Sequence, residues 1–328
     1  MRLGRSLTNT FTIEVLTPIQ QQAILSGEES LITMNAWGIR KMKGDIPHLI
    51  DVARRLGIHH IELDSDVISP YPEFTKKQRA EAKKMFEDNG ISISVHLPYS
   101  MSAVSNIGSP QELERQKAVE VAKVHLEFGF DVGAISFVVH PGKAPFYYQS
   151  PHYIAYVEGA IVKSLYELST FVQENSDAKL HLENNTAFEN LYSEPEDCIR
   201  VVKKVREMGG ELYFNFDIGH WFTREKAGNP VPEPPEQIME TLPAELIWEL
   251  HLNDFIVPEG IFHPPLVEQK GFLKRKNMEN YARILKEKLK PELVVLETAF
   301  YSLEQIENRE EILKAENKYI SEIFGVEW

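Results

Sequence analysis

Residues 211–222 read ELYFNFDIGHWF. A run of strand-forming aromatic and apolar residues reaches a carboxylate, Asp217, and an imidazole, His220, stands three residues further on. Neither side chain belongs in a hydrophobic core. A strand that ends on an ionisable residue before the pattern changes is what one β/α unit looks like, so equivalent units are sought on both sides of it.

Outward from this stretch the same alternation recurs. Strands are expected at LITMN (31–35), HHIELD (59–64), ISISVHL (91–97), AISFVVH (134–140), KLHLEN (179–184), ELYFNFD (211–217), LIWELHL (246–252) and ELVVLE (292–297). Amphipathic, charged segments separate them, such as KKQRAEAKKMFEDNG (76–90), where Gly90 marks a helix stop. Eight strands alternating with helices predict an α/β fold, a (β/α)8 TIM barrel spanning 31–328 as one domain. An open doubly wound sheet would show a glycine-rich phosphate turn after its first strand, and none is present. Residues 1–30 precede the first expected strand and read as an N-terminal extension, a hairpin or arm under the barrel. The Pro- and Glu-rich stretch TREKAGNPVPEPPEQIMETLP (223–243) reads as a long loop on the face where active-site lids lie.

Composition narrows the class. Against 35 Lys and Arg stand 49 Asp and Glu, a net charge of -14 that repels polyanions and argues against a general nucleic-acid binder. The single cysteine, Cys198, allows no internal disulfide and no zinc ribbon, and fits a reducing cytoplasm. No apolar run approaches the length of about eighteen residues that a membrane span needs, and polar residues interrupt the N-terminal apolar stretch. A soluble cytoplasmic protein is expected, with its oligomeric state open.

In a barrel of this kind the active site lies at the C-terminal ends of the strands. There the sequence places His96, His140, Glu183, Asp217, His251 and Glu297 at the ends of six consecutive strands. One such residue is ordinarily a hydrogen-bonded or solvated side chain. Six in one mouth repel one another unless cations relieve them, and a mixed His, Asp and Glu set suits Zn2+, Mn2+, Fe2+ or Co2+ better than Ca2+.

The stretches VHLPY (95–99), VVHPG (138–142), HLENN (181–185), FDIGH (216–220), HLND (251–254) and VLET (295–298) resemble the signature segments of the xylose-isomerase-like barrel superfamily. That superfamily holds sugar and sugar-phosphate isomerases and epimerases, and the endonuclease IV group of abasic-site repair enzymes. The resemblance implies a principal divalent metal, Zn2+ or Mn2+, on Glu183, Asp217, His251 and Glu297. In the endonuclease branch His96 and His140 join Glu183 around a second ion. A third ion there takes the equivalent of His220 and an Asp-x-His segment, but this chain reads GIFHPPL, with His263 present and Ile261 in the place of the acid. One or two ions are therefore expected in preference to three, with Asp217 and His220 in one pocket but not on one metal.

The resemblance further implies substrate contacts from His220 and His263, and from Glu62 on the second strand, where the isomerases carry a Glu. Tyr99 reads as a mouth-lining ring and Trp221 as one that stacks on a sugar. Each has a plainer reading: Glu62 and Asp64 as partners of a nearby Lys or Arg, the rings as rim packing. The basic segment 270–290 reads as a solvated helix face or, alternatively, a phosphate contact. The expected function is a divalent-metal-dependent isomerase or epimerase of a sugar, sugar phosphate or polyol. It would act through an enediolate, with Glu183 and Glu297 as the catalytic proton carriers. The alternatives are an endonuclease IV-like phosphodiesterase on abasic DNA, a lyase starting from the same enediolate, and a non-catalytic sugar- or metal-binding barrel. The partner expected is a small carbohydrate, with nucleic acid disfavoured and no membrane.

Overall fold

Short apolar runs pair side by side in parallel in the computed structural model, which describes residues 1–66, 68–99, 105–144, 150–189 and 191–328. The barrel strands are β1 (Arg2–Ser6), β2 (His60–Asp64), β3 (Ser92–His96), β4 (Ser136–Val139), β5 (Lys179–Glu183), β6 (Tyr213–Asn215), β7 (Glu249–Leu252) and β10 (Leu293–Leu296). Two short strands, β8 (Phe255–Ile256) and β9 (Ile261–Phe262), form a hairpin in the connection after β7. The eight barrel strands are parallel and follow the order β6-β5-β4-β3-β2-β1-β10-β7. A lone bridge between Asp217 and His251 joins the two ends of that order and closes a (β/α)8 barrel.

The N-terminal boundary differs from the sequence expectation. LITMN is not a strand but the start of the helix Leu31–Gly44, because the Ser30 side chain accepts the Thr33 N–H at 3.1 Å and caps it. The first stave is instead RLGRS, paired with β10 through Arg2 to Arg5 and with β2 through Arg5 and Ser6. Residues 1–30 are thus no extension, since they supply a barrel strand. Gly4 is required in it: a Cβ there would meet the His60 ring at 2.4 Å.

Two arginines hid this strand, and the fold explains one of them. Arg5 is fully buried and pairs with Glu316 at 2.8 Å, while it also donates to Asn317 Oδ1 and Thr298 Oγ1 at 2.9 Å each. Glu316 accepts from Thr298 Oγ1 at 2.8 Å and from the Leu266 N–H. The network joins β1, the end of β10, the last helix (Arg309–Phe324) and the loop after β9. The long loop after β6 is anchored in its second half. Glu236 in it is buried and accepts from Asn277 and Asn280 at 2.9 and 2.7 Å, which fastens the loop to the side helix Arg275–Ile284. No helix among the described residues is long and apolar enough to cross a membrane.

Replacing Arg5 by Met leaves Glu316 buried without its counter-charge. The expected loss is about 3–5 kcal/mol of unfolding free energy, to be read from urea denaturation midpoints.

Candidate metal centre

Parallel register brings the ends of β3 to β7 and β10 to one level, and the expected residues meet there. Glu183, fully buried at the end of β5, is the centre. Its Oε2 faces His96 Nε2 and His140 Nε2, both at 3.2 Å, and its Oε1 faces His251 Nδ1 at 3.2 Å and His220 Nδ1 at 3.3 Å. His251 Nδ1 lies 3.7 Å from Glu297 Oε2.

The far side of several rings is already engaged. His96 Nδ1 donates to the Leu97 carbonyl at 2.9 Å, and His140 Nδ1 to Asn185 Oδ1 at 3.2 Å. Each therefore turns an Nε2 lone pair towards a carboxylate oxygen, and two lone pairs at that distance require a proton or a cation between them. Among the described residues four groups have ligand atoms all within 4.8 Å of one another: His96, His140 and Glu183; Glu183, Asp217, His251 and Glu297; Asp217, His220 and His263; and Glu62, Glu249 and His251. The donor set of imidazoles and carboxylates fits divalent transition ions, with Glu183 common to the first two groups.

The third group departs from the sequence reading. Asp217, where β6 gives way to the short helix Ile218–Phe222, accepts the His220 N–H on Oδ1 at 2.8 Å, and its Oδ2, which accepts from Asn253 Nδ2, lies 3.7 Å from His220 Nε2. Asp217 and His220 thus sit in one candidate ligand group, with Asp217 supplying the carboxylate that residue 261 lacks. His263 has a left-handed backbone, φ 52, and its buried Nε2 has no hydrogen-bond partner. Its ring centroid is 5.3 Å from that of His220.

Three asparagines that the sequence reading passed over position the ligands. Asn184 Oδ1 accepts the Asp217 N–H at 2.8 Å, Asn215 Oδ1 the His251 N–H at 2.8 Å, and Asn253 Oδ1 the Glu297 N–H at 2.9 Å. Each side chain thus holds the backbone of a ligand on the neighbouring strand. The signal was present in HLENN, NFD and HLND, where an amide stands within two residues of Glu183, Asp217 and His251. Asp254, in the same HLND stretch, accepts the Phe255, Phe272 and Leu273 N–H groups at 2.8, 2.8 and 3.0 Å and so shapes the loop that carries His263.

Above the ligands is a cavity of about 310 Å3 lined by Asp64, Asp66, Tyr99, Glu189, His220, Phe262, His263 and Glu297 among others. Two expected substrate contacts are absent from it. Glu62 is 1% exposed and lies below the ligands, where its Oε2 takes a hydrogen bond from His251 Nε2 at 3.2 Å; strand alternation gave its face correctly but not its depth. Trp221 is buried on the outward side of its helix, donating to Glu194 Oε2 at 3.0 Å beneath the Arg224 guanidinium. Tyr99 does line the mouth, edge-on to His140 at 4.4 Å. The basic segment 270–290 contributes nothing to the cavity among the described residues.

The charges respond to this crowding. Burial works to raise the Glu183 carboxyl, but His251 and His140 overcome it and hold it well below the usual carboxylate range. Burial likewise opposes charge on His96 and His251, yet Glu183 drives both well above an ordinary imidazole. Glu297 is pushed up to about 8 by burial first, with Glu62 and Glu183 adding to it against the pull of His251. Burial lowers His263 to about 4.

The chain matches the family model described as xylose isomerase-like TIM barrel over residues 50–323. An uncharacterized protein of Methanocaldococcus jannaschii is 32% identical over 143 residues, a stretch that spans 43% of this chain and 44% of that relative. Among solved structures, a putative xylose isomerase from Rhodospirillum rubrum superposes with a TM-score of 0.72 at 13% identity, covering 98% of this chain and 99% of that one. D-psicose 3-epimerase from Clostridium cellulolyticum H10, solved with D-tagatose, gives 0.69 at 16% identity and 99% of both chains. SacUVDE gives 0.58 at 12% identity, covering 99% and 100%. Such identities speak for the shared fold.

Two measurements address the centre. Titration of the metal-free protein with Mn2+ or Zn2+ should show tight binding that Glu183→Gln weakens at two sites together, while Asn253→Ala costs roughly 10–100-fold through misplaced ligands. Because His96 and His251 carry protons above the ordinary imidazole range when no ion is bound, and ligation requires them neutral, affinity should rise with pH through the ordinary imidazole range and keep rising beyond it. Calorimetry in buffers of different ionisation enthalpy should register the protons released.

Proposed function

Because the chain belongs to the xylose isomerase-like TIM barrel family, we propose that it is a divalent-metal-dependent isomerase or epimerase acting on a sugar or related polyol, with Zn2+ or Mn2+ as the ion. The observation that carries this reading is the quartet Glu183, Asp217, His251 and Glu297, converged within 4.8 Å beneath a small polar cavity. An ion held there supplies Lewis acidity to neighbouring carbonyl and hydroxyl oxygens and stabilises enediolate charge.

The chain's own groups do the rest. Glu297 reaches the cavity wall, where a carboxylate can carry a proton to or from the substrate as general acid or base. Glu183 serves as its counterpart from below, held ionised by the surrounding imidazoles. His220, at the wall beside Asp217, orients substrate hydroxyls or contributes to a further ion, and His263 does so with it. Tyr99 covers His140 and keeps water from that side.

A second reading, an endonuclease IV-like phosphodiesterase, draws support from the third group, Asp217, His220 and His263. The wall of the cavity opposes it. No Lys or Arg lines it among the described residues, and the segments 67, 100–104, 145–149 and 190 contain none by sequence. Asp64, Asp66 and Glu189 add carboxylates instead, with the buried Lys43 answering Asp64 at 3.0 Å. A phosphate backbone finds little to hold it there.

Incubation with ketoses in D2O should give metal-dependent incorporation of solvent deuterium at the carbon next to the carbonyl. Glu297→Gln should lower kcat at least about 100-fold when assayed with the ion at saturation, since the substitution also weakens a metal ligand. Metal-dependent nicking of a duplex containing an abasic site, with no exchange into any sugar, would select the phosphodiesterase.

A further inference from the structure

The rim of the cavity carries two rings that the proton chemistry leaves unused. Phe188 lies in the turn Ala187–Glu189 after β5, and Phe262 in β9 after β7. Their centroids are 6.0 Å apart with planes at 72°. Both line the cavity, yet they remain 45% and 36% exposed. Exposed aromatic surface gathered at the edge of a polar pocket marks a place of contact.

The Phe262 ring and the backbone that carries Phe188 are held from behind. Phe262 packs edge-on against the buried Phe255 at 5.1 Å, across the hairpin pair Phe255 and Phe262. On the other side the Ala187 N–H donates to Thr223 Oγ1 at 2.8 Å and the Phe188 N–H to Thr186 Oγ1 at 3.2 Å. Presenting an anchored ring lowers the ordering cost of whatever packs on it.

The neighbours of the pair select the occupant. Asp66 and Glu189 offer carboxylates and Asn9 an amide, and no Lys or Arg lines the wall among the described residues. Hydroxyl groups hydrogen-bond to such a wall, and the C–H face of a sugar ring packs on an aromatic ring. A nucleobase also stacks on aromatic rings, but in a nucleic acid it brings phosphates that this acidic wall repels.

We propose that Phe188 and Phe262 form an outer subsite for a second, uncharged sugar ring, so that the substrate is a glycosylated ketose or a similar two-ring carbohydrate and not a phosphate ester. The inference rests on the carbohydrate reading above for the ring that sits at the metal ligands.

Binding to the metal-loaded protein is measured by calorimetry with three probes: D-fructose, D-fructose 6-phosphate and lactulose, in which a galactosyl ring is joined to fructose. Lactulose should bind about 5-fold or more tighter than D-fructose, and the phosphate ester no tighter than D-fructose. Phe188→Ala and Phe262→Ala should each weaken lactulose roughly 3–10-fold and change D-fructose by less than about 2-fold, while Phe188→Trp keeps the preference. Equal affinity for one-ring and two-ring sugars, equal losses on both in the alanine variants, or tighter binding of the phosphate overturns the subsite. Deuterium exchange, scored separately, tells the two ideas apart. Exchange into D-fructose without a two-ring preference defeats the subsite alone, and a ring-dependent preference without exchange into any probe defeats the catalytic reading alone.

Discussion

A carboxylate with no access to water, Glu183, sets the terms for the rest of the molecule. Buried charge is tolerated only when it is paired and hydrogen-bonded. Here four imidazoles from four different connections of the barrel turn towards its two oxygens. That requirement accounts for features that look unrelated in the sequence: histidines at the ends of β3 and β7 and just past β4 and β6, the carbonyl and amide acceptors behind His96 and His140, and a second carboxylate, Glu62, beneath His251. The same crowding makes a candidate metal site, since imidazoles packed around one carboxylate are a donor set that could hold an ion.

Positioning these groups falls to backbone as much as to side chains. The asparagines 184, 215 and 253 each hold the main-chain N–H of a ligand on the next strand, so a ligand's place is fixed before its rotamer is chosen. Asp254 does similar service for the loop of His263, and the tight approach of Gly271, where a Cβ would lie 2.3 Å from the Asp254 carboxylate, shows how closely that loop is drawn in. A buried polar group that finds its partner costs little; one that loses it costs about 1–3 kcal/mol.

Most of this was legible in the sequence where the relevant physics is local. Seven strands from 59 onward show their alternation, and the strand-end acids and histidines converge as barrel geometry requires. The first strand was not legible, because Arg5 is apolar neither in composition nor in pattern, and only Glu316, far along the chain, makes its burial tolerable. LITMN misled through its β-branched residues, which the Ser30 cap outweighs. Glu62 shows the limit of period-two reasoning: alternation tells which face a residue takes but not how far down the barrel it sits. Trp221 shows the limit of proximity, since one step along a helical turn moved a ring from the mouth to the outside. The carboxylate partner of His220 and His263 was sought at position 261 and lay at 217, a substitution in space that linear spacing does not display.

The barrel is joined between β6 and β7 by a single backbone bridge, Asp217 to His251, supplemented by the Asn215 side chain. Glu183 and Asp217 stand on one side of that joint, and His251 and Glu297 on the other. In mechanical terms the barrel is a hoop fastened at one buckle, and the buckle is the candidate metal quartet itself. An ion held there would tie the two ends of the sheet to each other through side chains as well as through that backbone bridge.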